Sequence, residues 1–377
     1  VVLNSASSFL QPEILSLGVE WLEKALEENE GLKFYDRIIK EMIRHNAHTL
    51  SPEQETLLAE AAELGNSPSH IYGLFSNADM KFPFIKDEEG NEVELTHGNF
   101  VPFEESSDRR VRKDAYEALY GVYGQYKNSI AAMFQANIKK AMFFAKARKY
   151  SSTRAFYLDD SNIPEAVYDN LIDTVHKNLS KMHRYVTLRK KMLGVDQLHF
   201  YDVYTSLLSD FKKEFTYEQA KEMVNDGLKP MGEEYLQILN EGFNNGWVDV
   251  YENVGKRSGA YSFGSYESDP YVLTNFHGTL DNVFTLAHEM GHSIHSYYSR
   301  KNQSYAYSDY KIFVAEVAST CNEALLIHDL LKKTEDKKEK AYLLNHFMES
   351  FKSTLYRQAM FAEFEMICHR RAEANEV

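Results

Sequence analysis

The sequence predicts a mainly α-helical protein with a small β element in its second half. Apolar residues recur at three- and four-residue spacing along most of the chain, as at Ile14, Leu17 and Trp21. Five glycines in residues 242–264 open one turn-rich, partly extended region, which we place at 242–278. Because 377 residues exceed the size at which one hydrophobic core stops growing, we expect two lobes.

Local signals place the individual elements. Ser51-Pro52-Glu53-Gln54 is typical of a helix start, with a Ser cap, a first-turn Pro and Gln three residues after the cap. Residues 80–86 and 91–95 flank a Gly-Asn turn, which predicts a hairpin near 80–95. Further helices are expected over residues 107–150, from Pro164 to about Leu193, from Thr216, from Pro230, and from Thr279 to the end with one loop near 300–308.

The composition excludes several classes of protein. The net charge of −14 disfavours a nucleic-acid partner, because an acidic surface repels phosphates. There is no apolar run of the roughly 18 residues that a membrane span needs, and we expect no secretory signal. Two cysteines, Cys321 and Cys368, are no disulfide framework, so a reducing compartment is expected, with Cys321 a buried thiol. A chain that begins with Val1 is expected to be processed or part of a longer protein.

The strongest chemical motif is His-Glu-Met-Gly-His at residues 288–292. On a helix, His288 and His292 point the same way about 6 Å apart, so two imidazoles can hold one zinc ion. Glu289 then projects beside the metal and can take a proton from the attacking water. Gly291 is unfavourable inside a helix, which suggests that something packs close to its backbone. The alternative is a chance match on an amphipathic helix.

A second helix, expected to start at Ser308-Asp309, offers the third ligand. Glu316 lies among Phe313, Val314, Val317 and Ala318, where a carboxylate is costly without a charged partner such as zinc. Glu323, seven residues on, shares that face and is a candidate to orient a ligand imidazole. The alternatives are that Glu316 is a surface residue or ion-pair partner and that Glu323 has no role at the metal.

These motifs resemble the oligoendopeptidase F family of thimet-oligopeptidase-like zinc metallopeptidases. The segments that carry the resemblance are Ala287–Ser293, Phe313–Ser319, Arg357–Glu365, Arg257–Ser262 and Asn275–Leu280. The resemblance implies a helical, two-lobed fold with a deep substrate channel, one zinc ion per chain and a cytoplasmic location. It also implies that residues 1–105 form a helical N-terminal lobe and 106–377 the metallopeptidase domain. Residues 259–276 are expected to form either an edge strand that pairs with a peptide or a structural hairpin.

The family continues beyond the helix at 357–365 with a segment whose His and Tyr side chains bind the carbonyl oxygen. We therefore expect the catalytic domain to be C-terminally incomplete in this chain, and we assign no oxyanion donor. The function expected is a zinc-dependent endopeptidase for short oligopeptides, with His288, His292 and Glu316 as metal ligands and Glu289 as general base. The alternatives are a zinc carboxypeptidase of related fold and a catalytically weak peptide-binding fragment. Oligopeptides are the only partners expected, with neither nucleic acid nor membrane.

Overall fold

Helices dominate the computed structural model, which describes residues 6–208, 213–253, 256 and 259–376 and confirms the predicted mainly α fold. In the first half of the chain the elements are α1 Leu10–Ser16, α2 Val19–Glu28, α3 Asp36–Arg44, α4 Pro52–Leu74, β1 Phe84–Lys86, β2 Glu92–Glu94, α5 His97–Glu104, α6 Arg109–Gln125, α7 Lys127–Ala147, α8 Thr153–Asp159 and α9 Glu165–Met192. In the second half they are α10 Tyr217–Gly227, α11 Glu233–Asn244, β3 Val248–Asp249, β4 Tyr261–Phe263, β5 Tyr271–Leu273, α12 Leu280–Asn302, α13 Ile312–Lys333, α14 Lys337–Phe351 and α15 Gln358–Glu373.

The chain divides into two compact units, each built from separate stretches of sequence. The first unit comprises Val1–Thr96, Lys113–Thr174 and Ala359–Val377. Within it α4 packs against α7, and the buried apolar side chains include Leu58 and Ile138. The second unit comprises His97–Arg112 and Val175–Gln358 and holds the motif at 288–292.

Two local features of the first unit follow from its sequence. Ser51 accepts a hydrogen bond from the Gln54 backbone N–H while the Gln54 side chain accepts one from the Ser51 N–H, so the predicted helix start is confirmed. Strands β1 and β2 pair antiparallel with Ile85 opposite Val93, and Gly90 takes a positive φ of 86° in the turn between them. The helical stretch expected over 107–150 is confirmed as two helices, α6 and α7, because the backbone leaves helical geometry at Tyr126 between them.

The second unit is built around α12, whose buried face includes Leu286, Met290 and Ile294. Helices α10, α11 and α13 pack against this helix, and Trp247 is buried in the same core. An apolar environment on several sides holds the α12 backbone in place, and with it the polar side chains on its remaining face.

A three-stranded sheet precedes α12, where the sequence predicts the β element. Its strand order is β3-β5-β4, with β3 parallel and β4 antiparallel to β5. Strand β4 therefore lies at an edge of the sheet, and it packs against α12. Thr279 caps α12 through a reciprocal pair of hydrogen bonds with Asn282, which fixes where this helix begins.

Helix α13 begins later than the sequence predicts. Its N-cap is Lys311 rather than Ser308, because residues Tyr305–Tyr307 form a 3-10 turn whose Tyr305 carbonyl accepts the Ser308 hydroxyl. Cys321 on this helix is exposed, so the prediction of a buried thiol is wrong. Within the described ranges, none of the helices is long and apolar enough to cross a membrane.

Candidate metal centre

Helices α12 and α13 bring three potential ligand atoms together. The Nε2 atoms of His288 and His292 lie 3.2 Å apart, and Glu316 Oε2 lies 3.3 Å from the first and 3.5 Å from the second. Zinc bonds of about 2.0–2.1 Å in a tetrahedral site place neighbouring ligand atoms roughly 3.3 Å apart. The three side chains therefore form one face of a tetrahedron of the size that zinc requires, and the donor set fits that ion.

The imidazole of His288 is oriented by a carboxylate from α13. Its Nδ1 makes a short hydrogen bond with Glu323 Oε1. Burial alone would lower the pKa of His288, but the hydrogen bond and charge of Glu323, together with Glu289 and Glu316, outweigh burial and raise it. In the neutral imidazole, a proton held on Nδ1 by Glu323 leaves the lone pair on Nε2, the atom that lies near His292 and Glu316.

The imidazole of His292 is held differently. Its ring makes a hydrogen bond with the backbone carbonyl of Ala315, the residue before Glu316. Burial and the nearby charge of His288 lower the pKa of His292, although Glu316 acts in the opposite direction. A lowered pKa favours the neutral imidazole, which is the form that binds a metal.

Glu316 is not buried, contrary to the argument from its apolar neighbours in sequence. Its side chain is 64% exposed, and Phe313 and Val317 are 60% and 65% exposed. The inference that burial forces a charged partner on Glu316 is therefore wrong. What the structure shows instead is a carboxylate whose Oε2 lies near both imidazoles and accepts a hydrogen bond from Ser319 Oγ at 2.7 Å.

Glu289 is the buried carboxylate of the cluster, with only 6% of its surface exposed. One oxygen accepts a hydrogen bond from the Ser262 backbone N–H of β4, while Oε2 has no hydrogen-bond partner anywhere in the described chain. Burial is the largest influence on this carboxyl and raises its pKa to about 6, against the opposing charge of His288. A buried carboxyl oxygen without a hydrogen-bond partner keeps an unused capacity to bind or release a proton.

Sequence reasoning missed the residues that join the two helices. Asn322 Nδ2 donates to the Ala287 carbonyl at 3.0 Å, and Tyr235 of α11 donates to Asn322 Oδ1 at 2.9 Å. Ser319 and Asn322 lie one turn apart on α13 and are both fully buried. The signal that could have found them is polar residues at three-residue spacing between Glu316 and Glu323, since polar side chains facing a helix partner need hydrogen bonds.

Comparison with known proteins identifies the family. The model described as "Peptidase family M3" matches residues 103–377, well over half of the chain, and the model described as "Oligopeptidase F" matches residues 13–82. The chain belongs to peptidase family M3. The resemblance to oligoendopeptidase F drawn from the motifs is thereby confirmed.

Similar M3 proteins match nearly all of this chain but extend beyond it. Oligopeptidase PepF of Bacillus subtilis is 52% identical over 372 residues, which are 99% of this chain and 56% of that protein. An oligoendopeptidase F homolog of Lactococcus lactis is 45% identical over 377 residues, which are 100% of this chain and 63% of that protein. The chain therefore spans about three fifths of the length of these M3 relatives.

Solved structures agree with the fold. The crystal structure of oligoendopeptidase-F from Enterococcus faecium superposes with a TM-score of 0.77 at 39% identity, covering 99% of this chain and 61% of that one. A crystal structure of a Chlamydophila abortus protein gives a TM-score of 0.86 at 39% identity, covering 98% of this chain and 62% of that one.

The structure brings the predicted site residues of this M3 chain close together. His288, His292 and Glu316 lie together, with Glu289 and Glu323 beside them. Their roles as ligands and base stay predictions, as does the division of the chain into domains 1–105 and 106–377. Of the motif Arg257–Ser262, Arg257 and Ser258 lie outside the described residues.

Proposed function

We propose that the chain holds one zinc ion on His288, His292 and Glu316 and hydrolyses internal peptide bonds of short oligopeptides. The observation that carries this proposal is the set of ligand-atom separations of 3.2, 3.3 and 3.5 Å, which fit a tetrahedral zinc site. Three protein ligands leave a fourth position for water or substrate, as hydrolytic zinc sites require. Membership of a peptidase family supports peptides as the substrate.

In this proposal zinc, when bound, makes water acidic and polarises the scissile carbonyl. Glu289 takes the proton from the attacking water as the new oxygen–carbon bond forms. The same carboxyl then donates that proton to the amine nitrogen as the carbon–nitrogen bond breaks. Its Oε2, which has no hydrogen-bond partner among the described residues, would make both transfers, and the Ser262 N–H restrains the carboxyl.

We propose that the peptide binds at the edge of the three-stranded sheet beside Glu289. Strand β4 is an edge strand, and it carries Ser262, whose N–H reaches Glu289. Because Glu289 uses the Ser262 N–H, an extended peptide would pair with the other backbone groups along the β4 edge and run past the metal position. Phe313 and Val317 expose apolar surface on the Glu316 side, which favours apolar side chains near the scissile bond.

Cleavage inside a peptide, rather than at its end, is the part of the proposal that separates it from a zinc carboxypeptidase. The name oligoendopeptidase F, which several similar proteins carry, favours internal cleavage, while a carboxypeptidase needs a cation for the terminal carboxylate. We also propose a reducing, cytoplasmic setting, which is supported by the free thiols of Cys321 and Cys368.

The experiment uses zinc-loaded protein and one quenched fluorescent peptide with both ends blocked, with the products mapped by mass spectrometry. Internal cleavage that disappears on zinc removal and returns on zinc addition supports the proposal. Cleavage only after the C-terminus is unblocked means a carboxypeptidase. Zinc and peptide binding without any cleavage means a peptide-binding protein, and the absence of zinc uptake overturns the metal site.

A further inference from the structure

Ser319 is a buried hydroxyl that touches a metal-ligand candidate and that the proposed chemistry does not use. Its Oγ lies 2.7 Å from Glu316 Oε2, and the residue has no exposed surface. That same Oε2 is the oxygen nearest both imidazoles, at 3.3 Å from His288 Nε2 and 3.5 Å from His292 Nε2. The hydroxyl therefore contacts the one Glu316 atom that would bind the metal.

The hydroxyl proton has two acceptors within reach, and both belong to Glu316. The carboxylate oxygen is at 2.7 Å and the backbone carbonyl oxygen at 3.2 Å. A charged acceptor at the shorter distance makes the stronger hydrogen bond, so the hydroxyl donates to the carboxylate oxygen. A serine whose hydroxyl bonded only to the Glu316 backbone carbonyl would not contact the Glu316 carboxylate.

Glu316 needs such a contact because most of its side chain is in solvent. An exposed glutamate samples several rotamers. A metal that binds it must fix one rotamer, which costs side-chain conformational entropy. The Ser319 backbone is tightly packed, because its Cα lies close to the backbone of Gly291 on α12. The hydroxyl thus fixes the third ligand relative to the helix that carries the other two.

We propose that Ser319 is a positioning residue, which holds the Glu316 carboxylate toward His288 and His292 before metal arrives and so tightens zinc binding. The proposal rests on the proposed zinc site. In this proposal a neutral side chain orients Glu316, the only exposed one of the three proposed ligands. Outer hydrogen bonds of this type typically change metal affinity about 10–100-fold.

The test compares Ser319→Ala with Thr320→Ala in zinc affinity, measured on the apo-protein by competition with a chromophoric chelator. Thr320 is the matched control, because its hydroxyl donates to the Glu316 backbone carbonyl at 2.5 Å and not to the carboxylate. We expect S319A to bind zinc about tenfold more weakly and T320A to stay within about twofold of the original chain. Equal affinities for S319A and the original chain would overturn the positioning role and leave the zinc site intact.

A double-mutant cycle separates positioning from packing. In a Glu316→Ala background the serine has no carboxylate to hold, so adding S319A should change zinc affinity no further. An undiminished S319A effect in that background would mean that the serine acts through the helix contact, and the proposal would fail. If the original chain takes up no zinc, the proposed function fails together with it.

Two further measurements, the visible spectrum of the cobalt-substituted protein and urea unfolding of the apo-protein, test the proposal without measuring peptide cleavage. Cobalt substituted for zinc should show an altered visible spectrum in S319A, because a less constrained carboxylate changes the ligand geometry. The urea midpoint of the apo-protein should move little, since alanine fits the same space against Gly291. An unchanged cobalt spectrum together with a large loss of apo stability would assign Ser319 to packing alone.

Discussion

A Cβ atom placed on Gly291 would stand 2.7 Å from the Cα of Ser319. The Ala318 carbonyl oxygen would be 2.9 Å away, so both close neighbours are backbone atoms of α13 and cannot rotate aside. Glycine at this position lets α12 and α13 approach closely enough for Glu316 to reach the two imidazoles. The sequence-based prediction that something packs against Gly291 is confirmed.

Gly291→Ala should destabilise the protein and weaken zinc binding together. Alanine is the better helix former by about 1 kcal/mol, but the added methyl group must push the helices apart, and overpacking typically costs about 1–3 kcal/mol. Because Glu316 lies on α13, the same displacement would lengthen the distances from its Oε2 to the Nε2 atoms of His288 and His292. Urea unfolding and chelator competition on one preparation measure both effects.

Gly121→Ala is the control for that substitution. Gly121 lies within α6, and among the described residues nothing would meet a Cβ there within 4 Å. This variant should be unchanged or more stable by up to about 1 kcal/mol, with unaltered zinc affinity. A Gly291→Ala protein that behaves like the Gly121→Ala protein would show that the close helix contact does not support the site.

Glu316→Ala and Glu323→Ala should weaken zinc binding to different extents. The first removes a proposed bond to the ion, whereas the second removes only the acceptor that orients His288. We expect the loss for Glu323→Ala to be about 10–100-fold and the loss for Glu316→Ala to be larger. Isothermal titration of apo-protein with zinc distinguishes them, and equal losses would mean that the third ligand is assigned wrongly.

Glu289→Gln should separate metal binding from peptide cleavage. The amide keeps the shape of the side chain and removes its ability to accept a proton, while the three proposed ligands are untouched. Zinc content should stay at the level of the original chain and cleavage of a quenched peptide should fall by several orders of magnitude. Ordinary turnover by a zinc-replete variant would remove Glu289 from the mechanism.

How far the site could be predicted depends on whether its geometry is local. His288 and His292 could be paired from sequence alone, because their spacing on one helix fixes their separation. Glu316 comes from another helix, and the argument from its apolar neighbours failed because Phe313 and Val317 are exposed rather than buried. The spacing of Ser319 from Glu316 marks it as a polar residue that faces a partner helix, but its proposed role also depends on the close approach of α12, which only the tertiary structure shows.

The folding units show the same limit. Helix starts at Ser51 and Thr279 follow from side chains within one turn and were readable in the sequence, Ser51 as part of a complete capping pattern. The grouping of residues 97–112 with 175–358 depends on contacts between distant segments, for which a sequence pattern carries no signal. One such contact is the buried Asp202, which accepts hydrogen bonds from Arg109 and Arg112.

Glu104 lies near this buried ion pair and has no comparable partner. It is almost wholly buried, and its Oε1 makes no hydrogen bond with any described residue. Burial, with the charge of Asp202, raises its pKa to about 8 against the opposing charge of Arg112. For Asp202, burial also acts upward, but hydrogen bonds from Arg109, the His199 N–H and Arg112 outweigh it and lower the pKa to about 2.

Glu104→Gln should therefore change how stability depends on pH. Between the ordinary value of 4.5 and the raised value of about 8, the folded chain keeps a proton on Glu104 that the unfolded chain has released. That difference makes the free energy of unfolding fall as pH rises through this window, by at most about 1.4 kcal/mol per pH unit for one proton. Glutamine cannot ionise, so the variant should gain stability relative to the original chain as pH rises and level off above the window.

Urea unfolding at several pH values measures the difference, with the exposed Glu241→Gln in the same unit as control. Parallel stability curves for the Glu104→Gln protein and the original chain would show that Glu104 is ionised in the fold at neutral pH.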